Sequence, residues 1–417
     1  MRHPVRTAGT ANFAVRVAGV CLVLPLGAGA QSWTLQRSVE TSLESNDNYA
    51  LSTTPGKRVN TLSLSGAFGA ARQTESSATR VDLGLTGVKA SGVEGQGRVD
   101  GRLNLGQTFT APLDSFSLGL NAAQDQTFNT TRTTSDVALG RGRRRNGAAS
   151  AGWSHSFTER FSASLQGSAS RTTYAQELLD ASNFRNTGMS GSLQYRLSET
   201  DSLSLQVGNS RFRTLNDTTR SSTVDASVGW TRALSELGSA SFSIGRSSTD
   251  STSLQPVLAC PLQFSLCAAG LLPFIVVQRS GDTRRSSLQF SASYRQRLAE
   301  TSDLSFSASR QQSPSGVGVV VLNESVTASL GQSFTPEMSG SLGYTEGRTV
   351  FQGVDAGPKP RSQTLSAGLS RALAPQLSVN AGYRLSRLSE SRSGSSAKAN
   401  IVNASLKYEW PRIEVGR

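Results

Sequence analysis

From Trp33 to Trp410 the chain repeats one pattern: apolar side chains alternate with Ser, Gly, Gln, Asn or Arg for about ten residues, and a turn follows. Residues 203–208, 288–294 and 377–383 are three instances. A period of two puts one face of each strand in an apolar medium and the other in a polar one. Carried through nearly the whole length, it predicts an all-β chain forming a transmembrane antiparallel up-and-down β-barrel, with lipid outside and water inside. A soluble sandwich would need a core of large residues, and many alternate positions here are only Ala or Gly.

Short connections at 110–114, 158–160, 198–201, 235–238, 299–302, 335–337 and 374–376 carry turn-forming residues. Longer polar connections lie at about 45–58, 124–145, 174–183, 250–282, 311–316, 351–361 and 390–397. Short and long links alternate as periplasmic turns and extracellular loops do, and the count is about 18 strands, within 16–18. Alternation is weakest before Phe68, around 91–95, and at Val319-Val320-Val321.

Aromatic residues on the apolar parity flank the short turns: Phe109, Phe116, Phe157, Phe161, Tyr195, Trp230 and, at the last strand, Trp410. Their placement predicts a girdle at the periplasmic interface. Acids, including Asp114, Glu199, Asp201 and Glu300, occupy the short turns, whereas arginines crowd the long connections. An extracellular basic rim is expected from Arg141, Arg143, Arg144, Arg145, Arg284 and Arg285, with Arg171, Arg185, Arg211, Arg213 and Arg220 beside it. Such a rim suits lipid phosphates, lipopolysaccharide, or an anionic solute or polysaccharide. Exposed aromatics are not interleaved with these loops, so nucleic acid is not an expected partner.

With apolar residues outward, Asp82, Arg98, Asp100, Arg102, Arg196, Asp225, Arg295, Arg297, Arg384, Lys407 and Glu409 point into the lumen. They predict a wet, mildly cationic interior, either a conduit with a weak anion preference or a charge network that solvates the wall. The most apolar stretch after the N-terminus, 268–277, lies in the long 250–282 connection. It is expected either to constrict the pore or to extend its strand pair above the membrane.

Composition adds constraints. Hydrophobic residues are only 36% of 417, and the formal charge is +13. Residues 1–30 read as a signal peptide, with Arg2, Arg6 and Arg16 before a short apolar run and Ala28-Gly29-Ala30 as the cleavage site. Removing its three arginines leaves +10 over 31–417, the barrel. Export leaves Cys260 and Cys267, an even pair that reads as a disulfide in an oxidising compartment; metal binding is the alternative, but no His is near. No cofactor motif or metal-ligand cluster is present. After export the chain keeps one histidine, His155, between Ser154 and Ser156 on a strand, where neighbours face opposite ways. No enzyme is therefore expected, although an outer-membrane hydrolase built on His155 is the weak alternative.

The first predicted strand, 33–49, leads with Trp33 and runs into Glu44, Asp47 and Asn48. It resembles the opening of the outer-membrane β-barrel porins found with exosortase and exopolysaccharide systems. That resemblance implies an outer-membrane role, polymer export among the options, with no catalytic residues. The sequence departs from a common barrel ending, because Trp410 is followed by 411–417 and not by a terminal Phe. Recognition by the barrel assembly machinery would then use Tyr408 and Trp410, or the tail is simply tolerated. Two functions are expected to compete: a porin-like water-filled channel, or a structural or adhesive barrel with a plugged lumen whose basic loops bind lipopolysaccharide or a partner.

Overall fold

The computed structural model describes residues 32–49, 51–52, 58–92, 97–126, 142–175, 182–259, 275–314, 319–351, 360–390 and 396–416. The signal segment 1–30, Arg141, Cys260 and Cys267 lie outside them.

Strands follow one another in chain order. The first nine are β1 (Trp33–Asn46), β2 (Val59–Gln73), β3 (Ser77–Ser91), β4 (Gly97–Thr110), β5 (Asp114–Gln126), β6 (Arg143–Ser156), β7 (Phe161–Tyr174), β8 (Phe184–Arg196) and β9 (Asp201–Thr214). The next nine are β10 (Thr219–Ser235), β11 (Gly238–Ala259), β12 (Ile275–Ala299), β13 (Ser302–Pro314), β14 (Val320–Thr335), β15 (Met338–Phe351), β16 (Pro360–Ala374), β17 (Leu377–Glu390) and β18 (Ser396–Glu409). Each pairs antiparallel with its sequence neighbours, and β18 returns to β1 from Ser38↔Glu409 to Asn46↔Ile401. The result is a closed 18-strand antiparallel barrel, the architecture of a bacterial outer-membrane barrel. Closure matters because a sheet edge in hydrocarbon would leave backbone donors and acceptors unpaired.

The two faces differ as the pattern demands. Leu43, Leu64, Val99 and Met189 on the outer parity are 61%, 60%, 63% and 62% exposed, a load of apolar surface that only lipid can cover. Ser, Thr, Gly and charged residues hold the inner parity, and hydroxyls face each other across strands. Ser241–Ser293, Ser243–Ser291 and Ser164–Ser192 are each joined at 2.7 Å, and Ser305–Ser329 at 2.6 Å. These ladders satisfy the inner side chains without large groups, which keeps the wall thin and wettable.

Two regions depart from the sequence expectation. The last strand continues past a break at Pro411 as β19 (Ile413–Val415), which pairs with Trp33–Leu35 of β1. The tail is thus part of the seam. In the segment 250–282 the described residues 250–259 and 275–282 are ladder, not loop: β11 and β12 pair without interruption to Ala259↔Ile275.

Candidate functional site: the lumen and its mouth

Buried apolar residues gather where the long connections are. Val59, Val88, Phe184, Phe212, Val320, Val321 and Leu322 are all under 9% exposed, and every one sits at the loop end of its strand. For Phe184, Phe212, Val320, Val321 and Leu322 the cause is a hairpin that leaves the wall. Pairing between β12 and β13 stops at Phe290↔Arg310, while β13 and β14 stay paired to Pro314↔Val320. Freed from β12, the end of this hairpin turns into the barrel. Gln312 belongs to the outer parity of Phe306 and Ala308, yet its amide reaches the inner wall. Its carbonyl accepts from Thr249 Oγ1 at 2.7 Å, and its Nε2 donates to Ser287 Oγ at 3.0 Å. Val320 packs with Phe184 and Phe212, and Tyr174 lies against the same cluster. In an 18-strand barrel β14 can meet β8 and β9 only across the lumen. Thr214, Thr219, Ser221, Thr223, Ser247 and Thr249 are buried beneath it.

The lapse of alternation at Val319-Val320-Val321 is therefore meaningful. Val320, Val321 and Leu322 are covered on both faces, as a strand inside the bore must be. The apolar 268–277 run, which invited the role of constriction, lies mostly outside the described residues.

The opposite wall, from β18 through β1 to β6, carries the charges. Arg80 pairs with Asp82 at 2.7 Å, Arg98 with Asp100 at 2.8 Å and Arg144 with Asp125 at 2.8 Å, and Lys407 pairs with Glu409. Three of these pairs are two residues apart on one strand face, a spacing legible in the sequence as Arg-x-Asp or Lys-x-Glu. Arg144, expected on the outer rim, turns inward to Asp125; Arg143 and Arg145 keep the outer parity. Arg102 lies flat across the neighbouring strand, and a Cβ on Gly84 would sit 2.8 Å from its Nε. Asp225 uses Gly208 in the same way. Glu40, Asp100, Arg102 and Lys407 line a recess of about 530 Å³. Arg102, Arg196, Arg295, Arg297 and Arg384 make no ion pair among the described residues. Outside the barrel, exposed Arg284 stands 3.4 Å from Asp250, and Arg285 takes the inner parity.

At the turn end, Phe116, Phe157, Tyr195, Trp230 and Trp410 are exposed on the outer face. Phe109 faces Phe116, and Phe161 faces Tyr195, across their ladders. Two turn acids serve as anchors for indoles: Trp153 Nε1 donates to Asp114 at 2.9 Å and Trp230 Nε1 to Asp201 at 3.1 Å. His155 joins this girdle. Its Nδ1 stands 2.9 Å from the same Asp114 oxygen, and its ring meets Phe157 edge-on at 4.6 Å. Ser154 and Ser156 occupy the other face.

Sequence reasoning missed a clamp on the seam. Asp47 accepts from the backbone N–H and the Nδ2 of Asn400, at 2.7 and 2.6 Å. Asn48 Nδ2 donates to the carbonyls of Ser52 and Lys398, at 2.8 and 2.9 Å. Leu51, held at a left-handed φ of 45°, packs on Ala397 and Ala399. The Asp47-Asn48 motif behind the family resemblance thus locks β1 to β18 at the mouth.

No family model and no curated protein matches the chain. Solved structures similar to it include the ferric-catecholate import receptor Fiu from E. coli K12, with 8% identity and a TM-score of 0.47 over 92% of this chain and 82% of that one. Acinetobacter baumannii OccAB1 is similar at 8% and 0.47, over 92% and 97% of the two chains. Pseudomonas aeruginosa OccK11 (OpdR) is similar at 13% and 0.42, over 91% and 96%.

Proposed function

We propose that this chain is an outer-membrane channel for small hydrophilic solutes, with a weak preference for anions. The observation that carries the reading is a closed 18-strand barrel whose inner face is hydroxylated and charged, while its outer face is apolar. A barrel of that size encloses more space than its own side chains fill. The described residues of the inward β13–β14 hairpin lie on one side, against the hydroxyl wall of β8–β12. Charges on the other wall are mostly paired, so selectivity falls to the arginines without acid partners, Arg102 and Arg384 among them. Polymer export would use the same lumen, and the resemblance of 33–49 is its support. The inward hairpin favours the second reading, a plugged structural barrel, only if it closes the bore completely. Purified protein in a planar bilayer should show discrete steps and a small anion-selective reversal potential. Folded protein that inserts and gives no steps would mean a plugged barrel.

A further inference from the structure

Outer-parity arginines converge at the loop ends of β7–β10. Arg171 stands directly opposite Arg185, Arg185 opposite Arg213, and Arg213 opposite Arg220, four strands in one transverse row. Arg211 lies two residues below Arg213 on the same face. Facing side chains in such ladders have Cβ atoms about 5 Å apart, and like charges so placed repel. One acid relieves part of this: Asp217 binds Arg213 and lies 3.6 Å from Arg220. Arg171, Arg185 and Arg211 are exposed and have no acid or hydrogen-bond partner among the described residues. A row of forked cations kept at this spacing is matched to a multivalent oxyanion.

Its height selects the source of that anion. Arg185 and the girdle residue Tyr195 share the outer parity of β8, ten residues apart. That is about 33 Å along the strand, or about 25 Å along the membrane normal at a tilt near 40°. The apolar band of such barrels is about 25 Å tall, so with Tyr195 at one interface the row lies at the other. Exposed Met189, Val207 and Val224 fill the face below it. We propose that this patch binds the phosphate groups of a phosphorylated glycolipid of the lipid A class in the outer leaflet. The proposal rests on the membrane-spanning reading of the barrel but not on conduction.

The test uses the folded protein in detergent micelles, titrated with bis-phosphorylated lipid A, with its dephosphorylated form and with inorganic phosphate. Wild type should bind the first at least about tenfold more tightly than the second, the effect of losing charged hydrogen bonds. It should ignore millimolar inorganic phosphate. An R171Q/R185Q variant should lose about tenfold in affinity, whereas R160Q/R371Q, which removes the same charge at the turn end, should not. Folding of each variant is checked by its heat-modifiable gel mobility, and the lipid comparison on wild type needs no variant. Equal binding of the two lipid forms, or a loss shared by both double variants, overturns the site. Competition by inorganic phosphate would assign it to a soluble anion and overturn the lipid. Channel steps recorded in parallel keep failure of the conduction reading separate.

Discussion

Trimming the inward hairpin should widen the pore by an amount the geometry fixes. Strands about 4.8 Å apart and tilted near 40° close, at eighteen, into a backbone cylinder of radius about 18 Å. Half of the 10 Å spacing of packed sheets, about 5 Å, is taken by the lining side chains, leaving a bore of about 530 Å². From the point where β13 leaves β12, at Arg310, the chain runs four residues to Pro314. At about 3.3 Å per residue and two strands of about 5 Å width, the intruding slab covers about 130–160 Å² with its side chains, a little over a quarter of the bore. Replacing 312–322 by a short Gly-Ser turn should therefore raise single-channel conductance about 1.4-fold, since current scales with open area at the narrowest section. Conductance unchanged or lowered, in protein with wild-type heat-modifiable mobility, would refute the inward placement. Two point variants grade the effect. Gln312→Ala removes two hydrogen bonds worth about 1 kcal/mol each, and Val320→Ala removes about 1.6 kcal/mol of apolar burial. Both should make the wide state more frequent without changing its size.

Other consequences can be checked on the same preparations. Asn48→Ala should cost about 2–3 kcal/mol, because it strips a bond from the Lys398 carbonyl and another from Ser52 in a buried corner; the midpoint of guanidinium unfolding in micelles measures it, and a loss under about 0.5 kcal/mol would dismiss the clamp. Acid should weaken the mouth. Burial alone would raise the Asp47 carboxyl, but the two donors of Asn400 prevail and lower it, and the Arg213 hydrogen bond lowers Asp217. Depressed carboxyls give stability that is complete above the unfolded value near 3.9 and is lost as pH falls through the folded one. Melting temperature should thus drop below about pH 4, and drop less in Asp47→Asn/Asp217→Asn. Gly245→Val should block assembly, since a Cβ there would lie 2.3 Å from the Ala226 carbonyl oxygen and 2.5 Å from Ser227 Cβ; folded protein at wild-type yield would contradict that close approach. Phospholipid hydrolysis by wild type should stay at background, and an activity abolished by His155→Ala would revive the hydrolase reading.

Much of the fold is legible because period-two patterning is a local property. Leu203, Leu205 and Val207 announce their face, and Ser198 to Asp201 announce the turn, without reference to any other strand. Interactions that depend on two distant segments leave weaker traces. Nothing around Gln312 says that it reaches Thr249 and Ser287, because its parity alone sends it to lipid. Only the triple Val319-Val320-Val321 hints that both faces are covered, and a lapse in alternation is ordinarily the mark of a loop. Asp114 and Asp201 are readable as turn acids, but their indole donors sit on the adjacent strands, 39 and 29 residues away. The seam is harder still, since Asp47 and Asn400 are 353 residues apart.

The two walls of the lumen divide the work in a way the bulk charge conceals. A net +13 suggests a cationic pore, yet the wall from β18 to β6 sets Arg80, Arg98, Arg144 and Lys407 against Asp82, Asp100, Asp125 and Glu409, pair by pair. Paired charges a few ångströms apart present a permeant ion with dipoles, whose field falls off faster than that of a single charge. They keep the wall wet without strongly favouring either sign. Further arginines stand on the outer parity at the mouth, in the Arg171–Arg185–Arg213–Arg220 row, which points away from the lumen. With the hairpin set against the hydroxyl wall of β8–β12, the part of the bore that the described residues leave open borders this paired track. On the channel reading, a solute's route is set by the space the hairpin leaves, and its charge matters chiefly at Arg102, Arg196, Arg295, Arg297 and Arg384, which make no ion pair among the described residues.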